Sequence, residues 1–267
     1  MDAAPVSPVS LSVSFSRLQI LLGQFPQPTL VDVRRNDAAV KDPQRLPNAN
    51  KRDPDRIDAW VGEIEPWRPV VVYCVHGREV SRNTAATLAA RGFDAHFLEG
   101  GLEGWRAAGG ATRAAQAPTR WVTRERPKID RIACPWLIRR FIDAEAQFAY
   151  VPADRVRAYA AETGMTRNDE PDVEFSHVGP ECSFDAFIHK YKLEGPDYAA
   201  LAALATIVRA ADTNALALAP QAPGLLALSR GLSSLFADDL AMLRWGLLCY
   251  DALYAWCRES QGKAQGR

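Results

Sequence analysis

The stretch VVVYCVHGREVSRNTAATLAARGF, residues 70–93, decides how the first half of the chain is read. Val70, Val71, Val72 and Tyr73 form a short apolar run, suited to a strand covered on both faces. Cys74 closes that run. From Ser81 to Gly92 the spacing turns helical: Ala85, Leu88 and Ala89 share a face, and Gly92 sits where a left-handed cap belongs. The pattern predicts a helix starting near Val80 or Ser81, with a short loop between it and Cys74. Amides of such a loop and of a first helical turn have no intrahelical acceptor. Aimed at one sulfur, and helped by the helix dipole, they favour a thiolate or an anionic persulfide. Gly77 would let the loop curl without a Cβ clash. The competing reading is a buried strand-end cysteine acting as a small hydrophobe.

Outward from this segment, SFSRLQILLG (14–23) reads as a helix capped by Ser14 and ended by Gly23, and TLVDVR (29–34) as a buried strand. RLPNAN (45–50) reads as loop, DAHFLEGG (94–101) as a strand ending in a glycine pair, and GLEGWRAAGG as a short helix. Strands alternating with helices indicate an α/β domain over residues 1–112. GGATRAAQAPTR (109–120) is small and polar, so 113–120 is expected to be a linker. Residues 121–258 are expected to form a mostly α-helical domain, followed by a 259–267 tail. There CPWLIRRFID reads as a helix with Pro135 at its first position and Cys134 at its N-cap. Leu201, Leu204, Ala205 and Val208 form one stripe; Leu240, Leu243, Leu247, Tyr250, Tyr254 and Cys257 form another.

The 267 residues are enough for two domains, and an apolar fraction of 48% supports a real core. Net charge is zero, which argues against a nucleic-acid partner. No apolar run reaches the ~18 residues that would span a bilayer. The start, MDAAPVSPVSLSVSF, lacks the features of a signal peptide, and the five cysteines include no CxxC pair. A reducing cytoplasm with free thiols is the expected setting. Oligomeric state is not legible.

The first half resembles the rhodanese family of sulfurtransferases. The matching pieces are LVDVR (30–34), RLPNA (45–49), VVVYCVHGRE (70–79) and FLEGGLEGW (97–105), in the family's order. The resemblance implies a parallel sheet flanked by helices and a catalytic Cys74 that carries a persulfide. It implies that Asp32 and Arg34 brace the loop, and that they, with His76, Gly77 and Arg78, make up the substrate-binding set. A small sulfur donor and a thiol acceptor would be the partners, with no cofactor needed for the transfer. His76 and Arg78 also read as plain solvated loop residues. Val75, where many thiosulfate-using members carry a basic residue, and the acidic Glu79 turn the expectation from thiosulfate towards another persulfide or a different thiol partner. Six positions after Cys74 comes Val80, not the arginine that related phosphatases need, so phosphoryl transfer is not expected.

The second half resembles the C-terminal domain of the chromate-resistance regulator family. WVTRERPKIDRIACPWLIRRFID (121–143), VEFSHVGPECSFDAFIHKY (173–191), VRAADTNALALAPQAPGLLALSRGLS (208–233) and MLRWGLLCYDALYAWCR (242–258) carry it. It implies a setting of chromate or oxidative stress. The residues add two candidate sites. Arg131 and Cys134, among the basic residues from Arg120 to Arg140, would make an oxyanion site for chromate or sulfate, or a redox thiol, if not a solvated face with internal ion pairs. Glu174, His177 and Asp212, near Cys182 and Asp185, would suit a divalent iron, manganese or zinc ion; His177 reads equally as a core histidine. Two functions follow: a sulfurtransferase linked to chromate or oxidative-stress resistance, or an oxyanion, metal or redox sensor with a non-catalytic first half.

Overall fold

The computed structural model describes residues 11–265, with side chains up to residue 261. The sequence reading of the first ten residues lies outside that range. The chain divides into two compact units, Met1–Ala117 and Pro118–Arg267.

The first unit is built on a five-stranded sheet of β1 (Ser12–Val13), β2 (Thr29–Asp32), β4 (Ala49–Lys51), β5 (Val70–Tyr73) and β6 (Ala95–Leu98). The order is β1-β6-β5-β2-β4 and every pairing is parallel. Period-two alternation divides the Val70–Cys74 run between the two faces. Val71 and Tyr73 pack with Leu18, Leu46, Leu98, Leu102 and Trp105. Val70, Val72 and Cys74 pack with Val31, Trp60, Ala85 and Leu88. Covering both faces are α1 (Phe15–Gly23), α2 (Asn36–Lys41), α3 (Ile57–Trp60), α4 (Glu79–Ala90) and α5 (Gly101–Ala107). Ser14 caps α1, its side chain accepting from Arg17 N at 3.3 Å. From β2 the chain runs to β4 on one side, and from β5 to β6 on the other. The carboxyl ends of β2 and β5 therefore flank the switch point where open parallel sheets place their sites.

Three sequence expectations change here. Residues 45–50 are not all loop: a two-residue strand β3 (Gln44–Arg45) and the edge strand β4 fall there. The linker is not free chain, because β7 (Arg113–Ala114) pairs antiparallel with β3. Helix α4 begins at Glu79, one residue before the earliest start expected, and Glu79 puts an acid in the positive first turn.

The second unit is mostly helical, but it also holds a parallel sheet, β10-β8-β9, of β8 (Arg120–Arg124), β9 (Gln147–Val151) and β10 (Thr166–Arg167). Its helices are α6 (Asp130–Leu137), α7 (Val156–Thr163), α8 (Ser183–Tyr191), α9 (Ala199–Asp212), α10 (Ala222–Leu235) and α11 (Asp239–Gln265). The last of these runs through most of the expected tail. Leu201, Leu204, Ala205 and Val208 are buried as expected; Leu240 is exposed instead, one turn off the buried stripe of α11. Trp136 anchors an aromatic cluster with Phe141, Phe184, Tyr250 and Tyr254. Its indole Nε1 and the Arg140 guanidinium Nε both donate to Asp251 Oδ1 at 2.8 Å, inside the core.

Pro135 does not open its helix. It sits in the interior of α6, which begins at Asp130. Proline has no N–H to give the carbonyl four residues back. That carbonyl, Arg131 O, instead accepts from Tyr150 Oη at 2.8 Å, and the helix continues into a π-helical turn over Ile138–Ile142.

Candidate functional site

Cys74 stands at the carboxyl end of β5, almost fully buried. The loop after it curls back over the start of α5. Leu102 N donates to Cys74 O at 2.9 Å and Glu103 N to Val75 O at 3.1 Å. That approach is possible only with glycine at two places. Gly77 has φ +66°, and a Cβ there would lie 2.5 Å from Leu98 O and 2.7 Å from Gly100 N. Gly101 has φ +58°, and a Cβ on it would run into Cys74 O, Gly77 N and Val75 O.

The loop so folded turns its donors onto the sulfur. Burial by itself pushes the Cys74 thiol up. The Ser81 hydroxyl and the main-chain N–H groups of Ser81, Arg78 and His76 outweigh it, and the thiol sits below its ordinary range. Sγ and Ser81 Oγ are 3.2 Å apart. Ser81 is therefore part of the site, and the sequence reading had given it only a helix start. Three main-chain N–H groups and a neighbouring hydroxyl around one sulfur are more than a small buried hydrophobe calls for.

His76 and Arg78 are exposed beside this sulfur. His76 Nδ1 lies 3.0 Å from Glu103 Oε2. Asp32 and Arg34 do not fit a substrate-binding role. Both are buried, and Arg34 spends its guanidinium on Asp32 (Nε–Oδ1 2.9 Å, Nη2–Oδ2 2.6 Å) and on Asp42 O (Nη1, 2.9 Å). Asp32 pairs in register with Tyr73, so this buried pair fixes the strand end next to Cys74.

In the second unit, arginines of the expected oxyanion site lie against carboxylates. Arg131 Nε lies 3.2 Å from Asp169 Oδ2, Arg124 Nε 2.8 Å from Glu170 Oε1, and Arg140 is on Asp251. Cys134 is not a helix cap; it is fully buried within α6, where burial and the Asp130 and Asp169 carboxylates hold its thiol well above the ordinary value. It offers neither solvent access nor a thiolate.

The expected metal set is partly reassembled. Glu174 points away, exposed and paired with Lys190. Asp185 forms the N-terminal cap of α8 with Cys182 and pairs with Arg209 (Oδ1–Nη2 2.5 Å). His177 and Asp212 do meet, Nε2 to Oδ2 at 3.2 Å. They are joined by two residues the sequence reading missed: Asp169, with Oδ1 at 3.5 Å from His177 Nε2, and Asp130, with Oδ2 at 3.7 Å. Both follow or occupy unusual backbone. Asp169 has φ +51°, and Ile129 before Asp130 has φ +33°, pinned through its N–H to Ser229 Oγ and its carbonyl to Tyr250 Oη, both at 3.0 Å.

Comparison with known proteins divides the chain at the same place. The model of the rhodanese-like domain matches residues 17–108, and that of the ChrB C-terminal domain matches residues 121–257. Protein ChrB of Cupriavidus metallidurans is 30% identical over 134 residues, covering 50% of this chain; the chain spans 39% of that protein. Thiosulfate sulfurtransferase GlpE of Pseudomonas savastanoi pv. phaseolicola is 37% identical over 79 residues, which is 29% of this chain and 72% of that protein. A solved rhodanese-related protein from Thermoplasma volcanium aligns over 38% of this chain and 96% of its own, at 20% identity and a TM-score of 0.34. Among the described residues no helix is long and apolar enough to cross a membrane.

Proposed function

The chain belongs to the family of the ChrB C-terminal domain, with a rhodanese-like domain preceding it in sequence, and we propose that its first unit is a sulfurtransferase working through Cys74. One observation carries this reading: a lowered thiol ringed by the N–H groups of His76, Arg78 and Ser81 and by the Ser81 hydroxyl. In the forward step the Cys74 thiolate attacks the sulfane sulfur of a donor. A new S–S bond forms at Cys74, the donor's own bond to that sulfur breaks, and its electron pair leaves with the donor remnant as sulfite or a thiolate. The product is a Cys74 persulfide anion, held by the same donors that held the thiolate. An acceptor thiolate then attacks the outer sulfur and Cys74 leaves as thiolate. The donors that lower the Cys74 thiol favour the attacking thiolate, so no separate general base is invoked.

His76 and Arg78, exposed beside the sulfur, are the candidate contacts for an anionic donor, and Gly77 keeps the loop closed. Glu79 at the helix start is an acid on the same loop, which favours a persulfide donor over thiosulfate. The resemblance of the second unit to chromate-resistance regulators supplies the proposed setting, chromate or oxidative stress. The rival reading, an oxyanion sensor, loses its main support because Arg131 is already paired with Asp169.

The test is direct. The full chain is incubated with thiosulfate or with an organic persulfide, cyanide is added, and thiocyanate is followed. Turnover that disappears in Cys74→Ser supports the proposal. Equal rates in both proteins, or no turnover with either donor, would remove it.

A further inference from the structure

We propose that the second unit binds one first-row divalent metal ion between Asp130, Asp169, Asp212 and His177. This goes beyond sulfur transfer and involves no atom of the Cys74 loop.

The four residues come from separate segments: the first residue of α6, the turn after β10, the loop before α8 and the last residue of α9. Metal–ligand bonds of about 2.1 Å set neighbouring ligand atoms about 3.0–3.4 Å apart in octahedral or tetrahedral geometry. The distances from His177 Nε2 to Asp212, Asp169 and Asp130, at 3.2, 3.5 and 3.7 Å, sit at and just above that range. Asp130, Asp169 and His177 each offer a ligand atom within one small sphere.

A second observation concerns the buried carboxylate of Asp130 itself. Asp130 is buried, and its Oδ1 has no hydrogen-bond partner. The adjacent Cys182 thiol faces two carboxylates, Asp185 Oδ2 at 3.4 Å and Asp130, and has one proton to give. A buried carboxylate oxygen left without a donor is costly, and a coordinated cation removes that cost. Among the described residues no lysine or arginine pairs with Asp130 or Asp212; their ionic partner is His177.

The surroundings are those of supported ligands. Ser183 N donates to Asp130 Oδ2 at 2.6 Å, and Ser183 Oγ donates to Asp169 Oδ1 at 2.9 Å. Arg131 faces the other oxygen of Asp169. These contacts fix the carboxylates while leaving lone pairs free. His177 is half-exposed, which opens one side of the site to solvent. Three carboxylate oxygens and one imidazole suit manganese or ferrous iron ahead of thiolate-seeking ions.

The full chain, stripped with chelator, is dialysed against manganous chloride, and bound metal is counted against protein, with the electron paramagnetic resonance signal of free manganese as a second readout. One ion per chain is expected. His177→Ala and Asp212→Asn should each weaken binding at least tenfold, while Glu174→Ala, outside the site, should leave it unchanged. His177 is at the surface, so its variant should keep the wild-type circular dichroism spectrum even if Asp212→Asn does not fold. Binding of less than about half an ion per chain, or stoichiometric binding retained in His177→Ala, overturns the proposal.

Discussion

Replacing Ser81 by alanine takes one hydroxyl out of the Cys74 cradle and adds nothing in its place. In the thiol state that hydroxyl donates to Arg78 O at 3.2 Å, with Sγ also 3.2 Å away. It carries one proton, so on ionisation it turns from the carbonyl to the sulfur. A hydrogen bond to a charged group contributes about 1.5–3 kcal/mol and a neutral one about 1, so the net preference for thiolate is about 0.5–2 kcal/mol. At 1.36 kcal/mol per unit, the Cys74 pKa should rise by about 0.4–1.5 units in the variant. The amides of Ser81, Arg78 and His76 remain, so the thiol is weakened as an acid and not returned to an unassisted state. Nucleophilicity rises with basicity at a Brønsted slope of about 0.4–0.5. A one-unit rise therefore slows alkylation below both pKa values by about three- to fourfold and speeds it above both by about threefold. Iodoacetamide labelling across pH, followed on the Cys74 peptide by mass spectrometry, reads both limbs. A profile that stays in place, or moves down, would refute the hydroxyl's part in holding the thiolate.

Three further outcomes are expected. Gly101→Ala forces a Cβ onto Cys74 O, Gly77 N and Val75 O at a positive φ; the strain alone costs about 1–3 kcal/mol, and urea unfolding of the first unit should show at least that loss, with the Cys74 pKa rising as the loop is pushed open. Asp251→Ala leaves the Arg140 guanidinium and the Trp136 N–H without their buried acceptor; a loss of about 3–5 kcal/mol in the second unit's unfolding is predicted. Asp185 would be raised by burial, but its bonds from Arg209 and the Cys182 amide bring it below the ordinary value. Its folded pKa being the lower one, that stability is present above pH ~4 and is lost as pH falls below it. In Arg209→Met the carboxylate is buried without its cation, so the acid-side loss should vanish or reverse in thermal melts taken across pH.

How far the sequence reached depended on how local the determinants were. Strands β2, β5 and β6 were legible because both sheet faces are covered, which makes β5 an unbroken apolar run and leaves β2 and β6 mostly apolar. The edge strands β1 and β4 were not: β1 has two residues, and Asn50 in β4 reads as turn chemistry. The Cys74 loop was legible because Cys74, Gly77 and Ser81 lie within one short stretch, whereas Gly101, which meets the loop from the start of α5, read only as the end of a strand. Ser81 was seen as a helix start, and nothing in its neighbours' spacing told that its hydroxyl turns to the sulfur. The carboxylate–histidine cluster was half legible. Asp130, Asp169 and Asp212 are far apart in sequence, and only packing of α6, α8 and α9 brings them to His177. Between Asp169 and Glu174, two acids of one segment, no local pattern says which faces inward. Pro135 misled for a comparable reason: the partner that satisfies the freed Arg131 carbonyl is Tyr150, on a strand beyond the helix.

The central claim is that Cys74 holds a transferable sulfur. Incubating the full chain with a persulfide donor, removing the donor and weighing the Cys74 peptide tests it most directly. The account predicts a gain of one sulfur atom on Cys74, removed again by cyanide with release of thiocyanate. A folded protein whose Cys74 peptide keeps its mass, or which takes up sulfur equally well in Cys74→Ser, would contradict it.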